Sequence, residues 1–212
     1  MTCRVVILIS GSGTNLQALI DAAPKLDFKI EMVVSNKSGV LGLKRAKKHK
    51  IPYKVIEHQS FDSREEFDRD LSAIIEKINP NLIVLAGFMR ILGAEFISKF
   101  QNHILNIHPS LLPKYPGINT HQRALDAGDH EHGATVHFVT EDLDCGPIIA
   151  QDSILINSSD TAKTLALKTL EKEHVLYPKV VGWFAAGRLR LENGKVLLDQ
   201  KILPPNGIAT SS

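Results

Sequence analysis

The feature that most constrains this chain is a set of short, continuous, β-branched runs alternating with helix-length amphipathic stretches. "RVVILIS" (4–10), "KIEMVVS" (29–35), "YKVIE" (53–57), "LIVLAG" (82–87) and "HILNI" (103–107) are largely continuous apolar runs rather than clean alternations. Strands of that kind are buried on both faces, as in a parallel sheet covered by helices. Helical patterns lie between them over 14–23, 41–49, 63–78 and, more briefly, 93–100. Regular β-α-β alternation predicts an α/β fold, a largely parallel twisted sheet flanked by helices.

Further along, the rhythm changes. "GATVHFV" (133–139) and "PIIAQDSILI" (147–156), separated by "TEDLDCG", predict an antiparallel extension in the C-terminal part. A long helix is expected from Asp160 or Thr161 to about Ala186, with Pro178 tolerated inside it. "RLRLENGKVLLD" reads as a hairpin turning at Asn193-Gly194, and the closing "PPNGIATSS" is expected to fray. The 212 residues carry no repeat and no linker-like segment, so a single domain, 1–212, is expected.

Composition narrows the function classes. With 43% hydrophobic and 23% charged residues and a net charge of +2, nothing demands nucleic acid. The densest basic cluster, "LKRAKKHK" (43–50), reads as the solvated face of a helix. Two cysteines, Cys3 and Cys145, give neither a disulfide framework nor metal-ligand spacing, which points to a reduced cytoplasm and no metal. "MTCRVVILIS" reads as a first strand rather than a signal peptide, and no apolar run approaches the ~18 residues of a membrane span.

Three stretches carry chemistry. "ISGSGTNLQALI" follows the first strand and opens the first helix. Its glycines suit a single-phosphate site on helix N-terminal amides, or equally a tight strand-to-helix turn. It is not a dinucleotide fingerprint, because Leu16 stands where the third glycine belongs, and no Lys-Ser/Thr follows to make a P-loop. "LAGFMRILG" places Phe88, Met89, Arg90, Ile91 and Leu92 beyond a strand end, where a flat aromatic ligand with polar edges fits; ordinary core with Arg90 reaching outward fits too. "LNIHPSLLPKYPG" sets Asn106 and His108 two apart, on one side of an extended chain, before a loop stiffened by Pro109, Pro113 and Pro116. An amide can donate to a developing oxyanion, and an imidazole can donate or accept a proton near neutral pH. Glu141, Asp142 and Asp144 are candidate acids to orient that ring, if their loop folds back over it. No nucleophile accompanies this group. That suits transfer between two bound substrates, one of which brings the attacking atom.

Taken together, "ISGSGTNLQALI", "FDSREEFDRDL", "LAGFMRIL", "LNIHPSLLPKYPG", "HGATVHFVTEDLDCGPII" and "LPPNG" resemble, in this order and over nearly the whole chain, the phosphoribosylglycinamide formyltransferases of the folate-dependent formyltransferase family. The resemblance implies a single formyltransferase domain, with 1–107 as a Rossmann-like nucleotide-binding half and 108–212 as the folate-binding and C-terminal part. It implies transfer of a formyl group from the co-substrate 10-formyltetrahydrofolate to phosphoribosylglycinamide in purine synthesis. It implies a cytoplasmic monomer or homodimer acting on small molecules. Asn106 and His108 would polarise the formyl carbonyl, and Asp144 would support the protonated His108. Gly13, Thr14 and Asn15 would receive the phosphate and Glu173 the ribose hydroxyls. Met89, Arg90, Ile91 and Leu92, with Asn106 and the loop Thr140, Glu141, Asp142 and Leu143, would hold the folate, and Arg64 its glutamate tail.

Departures from the family pattern are Gly-Ser-Gly-Thr-Asn in the glycine loop, where Thr14 keeps a hydroxyl, Cys145 at a position usually Gly or Ala, and Leu170 where a polar residue is expected. Rival readings are another formyl-folate formyltransferase, a formyl-folate hydrolase, or a non-catalytic nucleotide-binding module. A tRNA-directed enzyme is expected to add a basic C-terminal domain and a hydrolase an N-terminal one, whereas strand one here begins near residue 4. A binding module has no use for Asn106, His108 and Asp144 converging.

Overall fold

The computed structural model describes residues 2–210. The chain divides into two compact units, Met1–Leu105 and Asn106–Ser212. The first comprises β1 (Cys3–Ile9), α1 (Thr14–Ala22), β2 (Phe28–Ser35), α2 (Leu41–Lys48), β3 (Tyr53–Val55), α3 (Arg64–Ile78), β4 (Leu82–Leu85), α4 (Ala94–Lys99) and the start of β5 (Ile104–His108). Its strands run in the order β5-β4-β1-β2-β3, with β1 parallel to β2 and β4, and β2 parallel to β3.

Val5, Val6, Ile7, Leu8 and Ile9 are all buried, because β1 is central and covered on both faces. Each such side chain contributes about 1.5–3 kcal/mol by leaving water. Helix starts follow local chemistry. Ser63 caps α3 by accepting from the Glu66 amide at 3.1 Å, and Glu65 and Glu66 suit the positive end of the helix. Asn79, left-handed at φ 50°, ends that helix just before Pro80. Parallel pairing brings the carboxyl ends of β1, β2 and β4 to one edge, and Ser10 ties them together there. Its hydroxyl donates to Asn36 Oδ1 at 2.6 Å and accepts from the Met89 amide at 2.8 Å.

The second unit holds the rest of β5, α5 (Thr120–Asp126), β6 (Glu131–Phe138), β7 (Ile148–Leu155), α6 (Ala162–Ala185), β8 (Leu189–Glu192), β9 (Lys195–Leu198), β10 (Lys201–Ile202) and β11 (Ile208–Ala209). Its strand order is β11-β7-β6-β5, with β6 and β7 antiparallel as the sequence predicts. A separate antiparallel trio, β10-β9-β8, contains the hairpin turning at Asn193 and Gly194, both at positive φ. α6 packs on β6 and β7 and starts from a capping box in which Thr161 and Thr164 satisfy each other's amides. Pro178 sits buried within it.

One helix, α5, falls where the sequence analysis names no element; only seven residues long, it is too short to show a periodicity. One expectation needs correction. The closing residues do not fray throughout: Ile208 and Ala209 pair in parallel with β7, and Thr210 N–H donates to Gln151 O at 2.9 Å. The outer edge of β7 has backbone groups to satisfy, and the tail satisfies them. Ser211 and Ser212 lie outside the described residues. No helix among the described residues is long and apolar enough to cross a membrane.

Candidate active site

In the first unit, the loop between β1 and α1 is shaped by glycine. Gly13 is the N-cap of α1 in a left-handed conformation (φ 68°, ψ 35°). A Cβ there would meet Gly42 Cα at 2.6 Å, so both the dihedral and the contact demand glycine. Thr14 and Asn15 begin the helix, Asn15 buried. Amides in a helix's first turn have no partner within the helix and carry its positive dipole end. The geometry suits an anion.

The loop after β4 is held at both ends: Met89 N–H on Ser10 Oγ, and Gly93 N–H on Asp68 Oδ2 at 2.7 Å. Between those anchors Met89 is 73% exposed and Ile91 47%, while Leu92 is buried. Large apolar side chains held in water by an anchored loop suit an apolar ligand face. The Arg90 guanidinium lies 4.4 Å from the centroid of Phe67 on α3, a cation–π contact. Burial raises the Asp68 carboxyl above its usual range, against the Gly93 amide and the charge of Arg90, which lower it. Arg64 is exposed at the first position of α3, a cation at the end of a helix that disfavours one.

In the second unit, Asn106 and His108 lie on β5 as expected. His108 is 5% exposed. Its Nδ1 lies 3.3 Å from Asp144 Oδ2 and its Nε2 2.8 Å from the Tyr115 carbonyl. Both neighbours are acceptors, so a ring carrying hydrogens on both nitrogens donates to both. Of the three candidate acids, Asp144 is the one that reaches the ring; Glu141 and Asp142 point into solvent. Asp144 adopts φ 53°, and its Oδ2 also accepts from Gly117 N–H at 2.8 Å. A left-handed non-glycine backbone costs about 1–2 kcal/mol, a cost met here by the bonds that turn the carboxylate inward.

His137 on β6 completes the group. Its Nδ1 is 2.9 Å from the Phe138 carbonyl, so that nitrogen carries the hydrogen. Burial pushes its pKa down, against that carbonyl and Asp144, so the ring is neutral and Nε2 is an acceptor. Asn106 Nδ2 then donates to it at 3.1 Å, which fixes the carboxamide and leaves its second amide hydrogen aimed elsewhere. Asp144 Oδ1 is 3.8 Å from His137 Nε2, too long for a hydrogen bond.

The Pro-rich loop is pinned to the strands beneath it. Thr135 Oγ1 donates to Ser110 O at 2.6 Å and accepts from Leu112 N–H at 3.0 Å, while Gln151 Nε2 donates to Leu112 O at 2.8 Å. The sequence pattern alone singles out none of Thr135, His137 and Gln151. The signal was the spacing: Thr135 and His137, two apart on β6, share one face.

The remaining candidates lie in the same unit without joining this cluster by any hydrogen bond described above. Thr140 is half-buried and Leu143 is 50% exposed, on the loop joining β6 to β7. Cys145 is an exposed free thiol, and Leu170 is half-buried on α6. Glu173 falls on the buried stripe of α6 with Leu165, Thr169 and Tyr177, a carboxylate at an i, i+4 position where the pattern calls for an apolar group. A second histidine pair, His121 and His132, meets at 2.9 Å between Nδ1 and Nε2. Burial lowers both pKa values, that of His132 to about 4, and each ring's charge would repel the other or His108.

The family model described as Formyl transferase matches residues 3–181. The chain belongs to the formyl transferase family. As a formyl transferase it is similar to the phosphoribosylglycinamide formyltransferase of Escherichia coli (strain K12), 46% identical over 208 residues, covering 97% of this chain and 98% of that one. It is 44% identical over 196 residues to the human trifunctional purine biosynthetic protein adenosine-3, covering 91% of this chain and 19% of that protein. The solved phosphoribosylglycinamide formyltransferase of Coxiella burnetii, in complex with CHES, superposes with a TM-score of 0.96 at 50% identity and full coverage of both chains. The formyltransferase fold is therefore shared from end to end.

Proposed function

We propose that this formyl transferase moves the formyl group of 10-formyltetrahydrofolate to the amine of 5-phosphoribosylglycinamide in purine biosynthesis. The observation that carries the reading is the end-to-end likeness to enzymes of that name, together with an Asn106, His108 and Asp144 cluster built as such a transfer requires. The amine attacks the formyl carbon. Negative charge grows on the formyl oxygen, where the second amide hydrogen of Asn106 and a hydrogen of His108 receive it. For this, His108 Nε2 exchanges the Tyr115 carbonyl for the substrate, while Asp144 holds Nδ1 and balances the ring's charge. The new C–N bond forms, the bond to the folate nitrogen breaks, and the proton lost by the amine reaches that nitrogen through His108 or a water beside Asp144.

No protein nucleophile takes part, so most of the acceleration comes from placing two substrates together and from fixed donors. Gly13, Thr14 and Asn15 hold the phosphate and Glu173 the ribose hydroxyls. Met89, Arg90, Ile91 and Leu92, with Thr140, Glu141, Asp142 and Leu143, take the pterin end of the folate, and Arg64 attracts its anionic tail. The protein works as one domain, a cytoplasmic monomer or homodimer acting on small molecules. Cys3 is buried, with its thiol pKa pushed up to about 11, and Cys145 is an exposed free thiol.

Mixing the enzyme with both substrates and following the absorbance of released tetrahydrofolate tests the reading. Release is expected only when phosphoribosylglycinamide is present. Release from formyl-folate alone makes the protein a hydrolase, and none under either condition leaves it a binding module.

A further inference from the structure

Successive peptides of the glycine loop face one way, and α2 is what turns them. Gly11 O accepts from Gly42 N–H at 3.1 Å, and Ser12 O accepts from Arg45 Nε at 3.0 Å. In a trans peptide the carbonyl and the following N–H point in opposite directions. The N–H groups of Ser12 and Gly13 are therefore aimed away from α2. The next peptide is set by α1 itself, where Gly13 O accepts from Gln17 N–H at 2.9 Å and Thr14 N–H points out of the helix end. With Gly13 left-handed, three neighbouring amides form a concave nest for an anion.

Arg45 holds this arrangement from behind. Its Nη1 donates to Gln17 Oε1 at 3.3 Å, so one guanidinium bridges the loop and the first helix. The side chain is half-buried in that role, unlike the exposed Lys44, Lys47 and Lys48 around it. Gly42 belongs to the same device. A Cβ at Gly42 would run into Ile9 Cδ1 and Gly11 O, which keeps α2 close enough for its amide and Arg45 to reach the loop.

We propose that Arg45 is a positioning residue for phosphate recognition: it does not touch the substrate but orients the amides that do, and its fixed charge lies behind them. This rests on the reading that Gly13, Thr14 and Asn15 receive the substrate's phosphate, and adds the Ser12 amide to them. Arg45→Met keeps the side chain's length and removes both bonds and the charge. Its expected signature is selective. The KM for phosphoribosylglycinamide rises about tenfold, in line with loss of charge-assisted orientation of the nest. The KM for 10-formyltetrahydrofolate and kcat at saturation stay within about twofold, since positioning of the reacting groups is untouched. Inorganic phosphate, used as a competitive inhibitor, weakens by the same factor as the substrate.

The dephosphorylated glycinamide riboside separates the two layers. Wild type is expected to prefer the phosphorylated substrate strongly, and Arg45→Met to lose part of that preference without changing the rate on the riboside. If wild type shows no preference, the phosphate loop itself is misassigned. If wild type prefers the phosphate and Arg45→Met prefers it equally, the loop stands and the role of Arg45 is overturned. Arg45→Lys, which keeps the charge and one of the two bonds, should fall between; it also carries the test if the methionine variant does not fold, and an unchanged KM there overturns the proposal.

Discussion

The glycine loop and the Asn106–His108–Asp144 cluster work with different parts of the chain. As proposed, the loop acts through backbone amides, so side chains matter mainly where they are absent, at Gly13 in the loop and at Gly42 on α2 beside it. The cluster, in the proposed reaction, acts through side-chain atoms, each held by one or two specific partners. A main-chain site tolerates changes in the residues that face the ligand and fails when the groups shaping the backbone are altered. A side-chain site fails at the residue itself. On that proposal the departure from the family pattern at Thr14 is harmless, since a threonine presents the same amide as a serine.

The contrast predicts graded effects. Largest is His108→Ala, which should lower kcat by about 10²–10⁴-fold while the dissociation constant for folate changes little, because general acid–base and oxyanion groups act in the transition state. Asp144→Asn, measured the same way, should lose less, since an amide still accepts from Gly117 N–H but cannot balance a charged ring. If kcat holds and only KM moves in both variants, the cluster is a binding element like the loop. Gly13→Ala comes next. The left-handed backbone alone costs about 1–2 kcal/mol, and the Gly42 contact adds to it. A fall in Tm of about 2–8 °C is expected in a chain of this size, where each kcal/mol shifts Tm by about 2–4 °C, with a raised KM for the ribonucleotide and a nearly unchanged KM for folate. An equal rise in both KM values would erase the distinction between the regions.

The smallest effect concerns pH and the buried histidines around the cluster. His132, with a folded pKa of about 4, and His121 and His137, also lowered by burial, take up protons more readily when unfolded, near pH ~6.5. Their neutral state favours the fold fully above that value, and the contribution is lost as pH falls toward their folded values. Urea midpoints should therefore fall between about pH 6.5 and 4 and level off above 7. The glycine loop has no titrating group in its backbone, so phosphate affinity corrected for phosphate's own ionisation should not follow that curve.

Legibility divided along a similar line. β1 was readable because Val5 to Ile9 are all apolar, and the two-residue spacing of Asn106 and His108 gave their common side. Which acid meets the ring was not readable from the residues alone. Glu141, Asp142 and Asp144 differ only in place, and it is the left-handed turn at Asp144, tied to Gly117, that selects the last. Arg45 was hidden inside a basic cluster whose other members are exposed, because the sequence does not show which of several cations turns inward. His137 was passed over for the same reason: a lone histidine in a strand does not announce that an asparagine thirty-one residues earlier depends on it.

The central claim is direct transfer between two substrates with no covalent stop on the protein. A single-turnover experiment with ¹³C-labelled formyl-folate and phosphoribosylglycinamide, read by NMR and protein mass, tests it most directly. The expected result is label on the glycinamide nitrogen in an amount equal to the tetrahydrofolate formed, with unmodified protein. Labelled formate, or a formylated side chain, would contradict it.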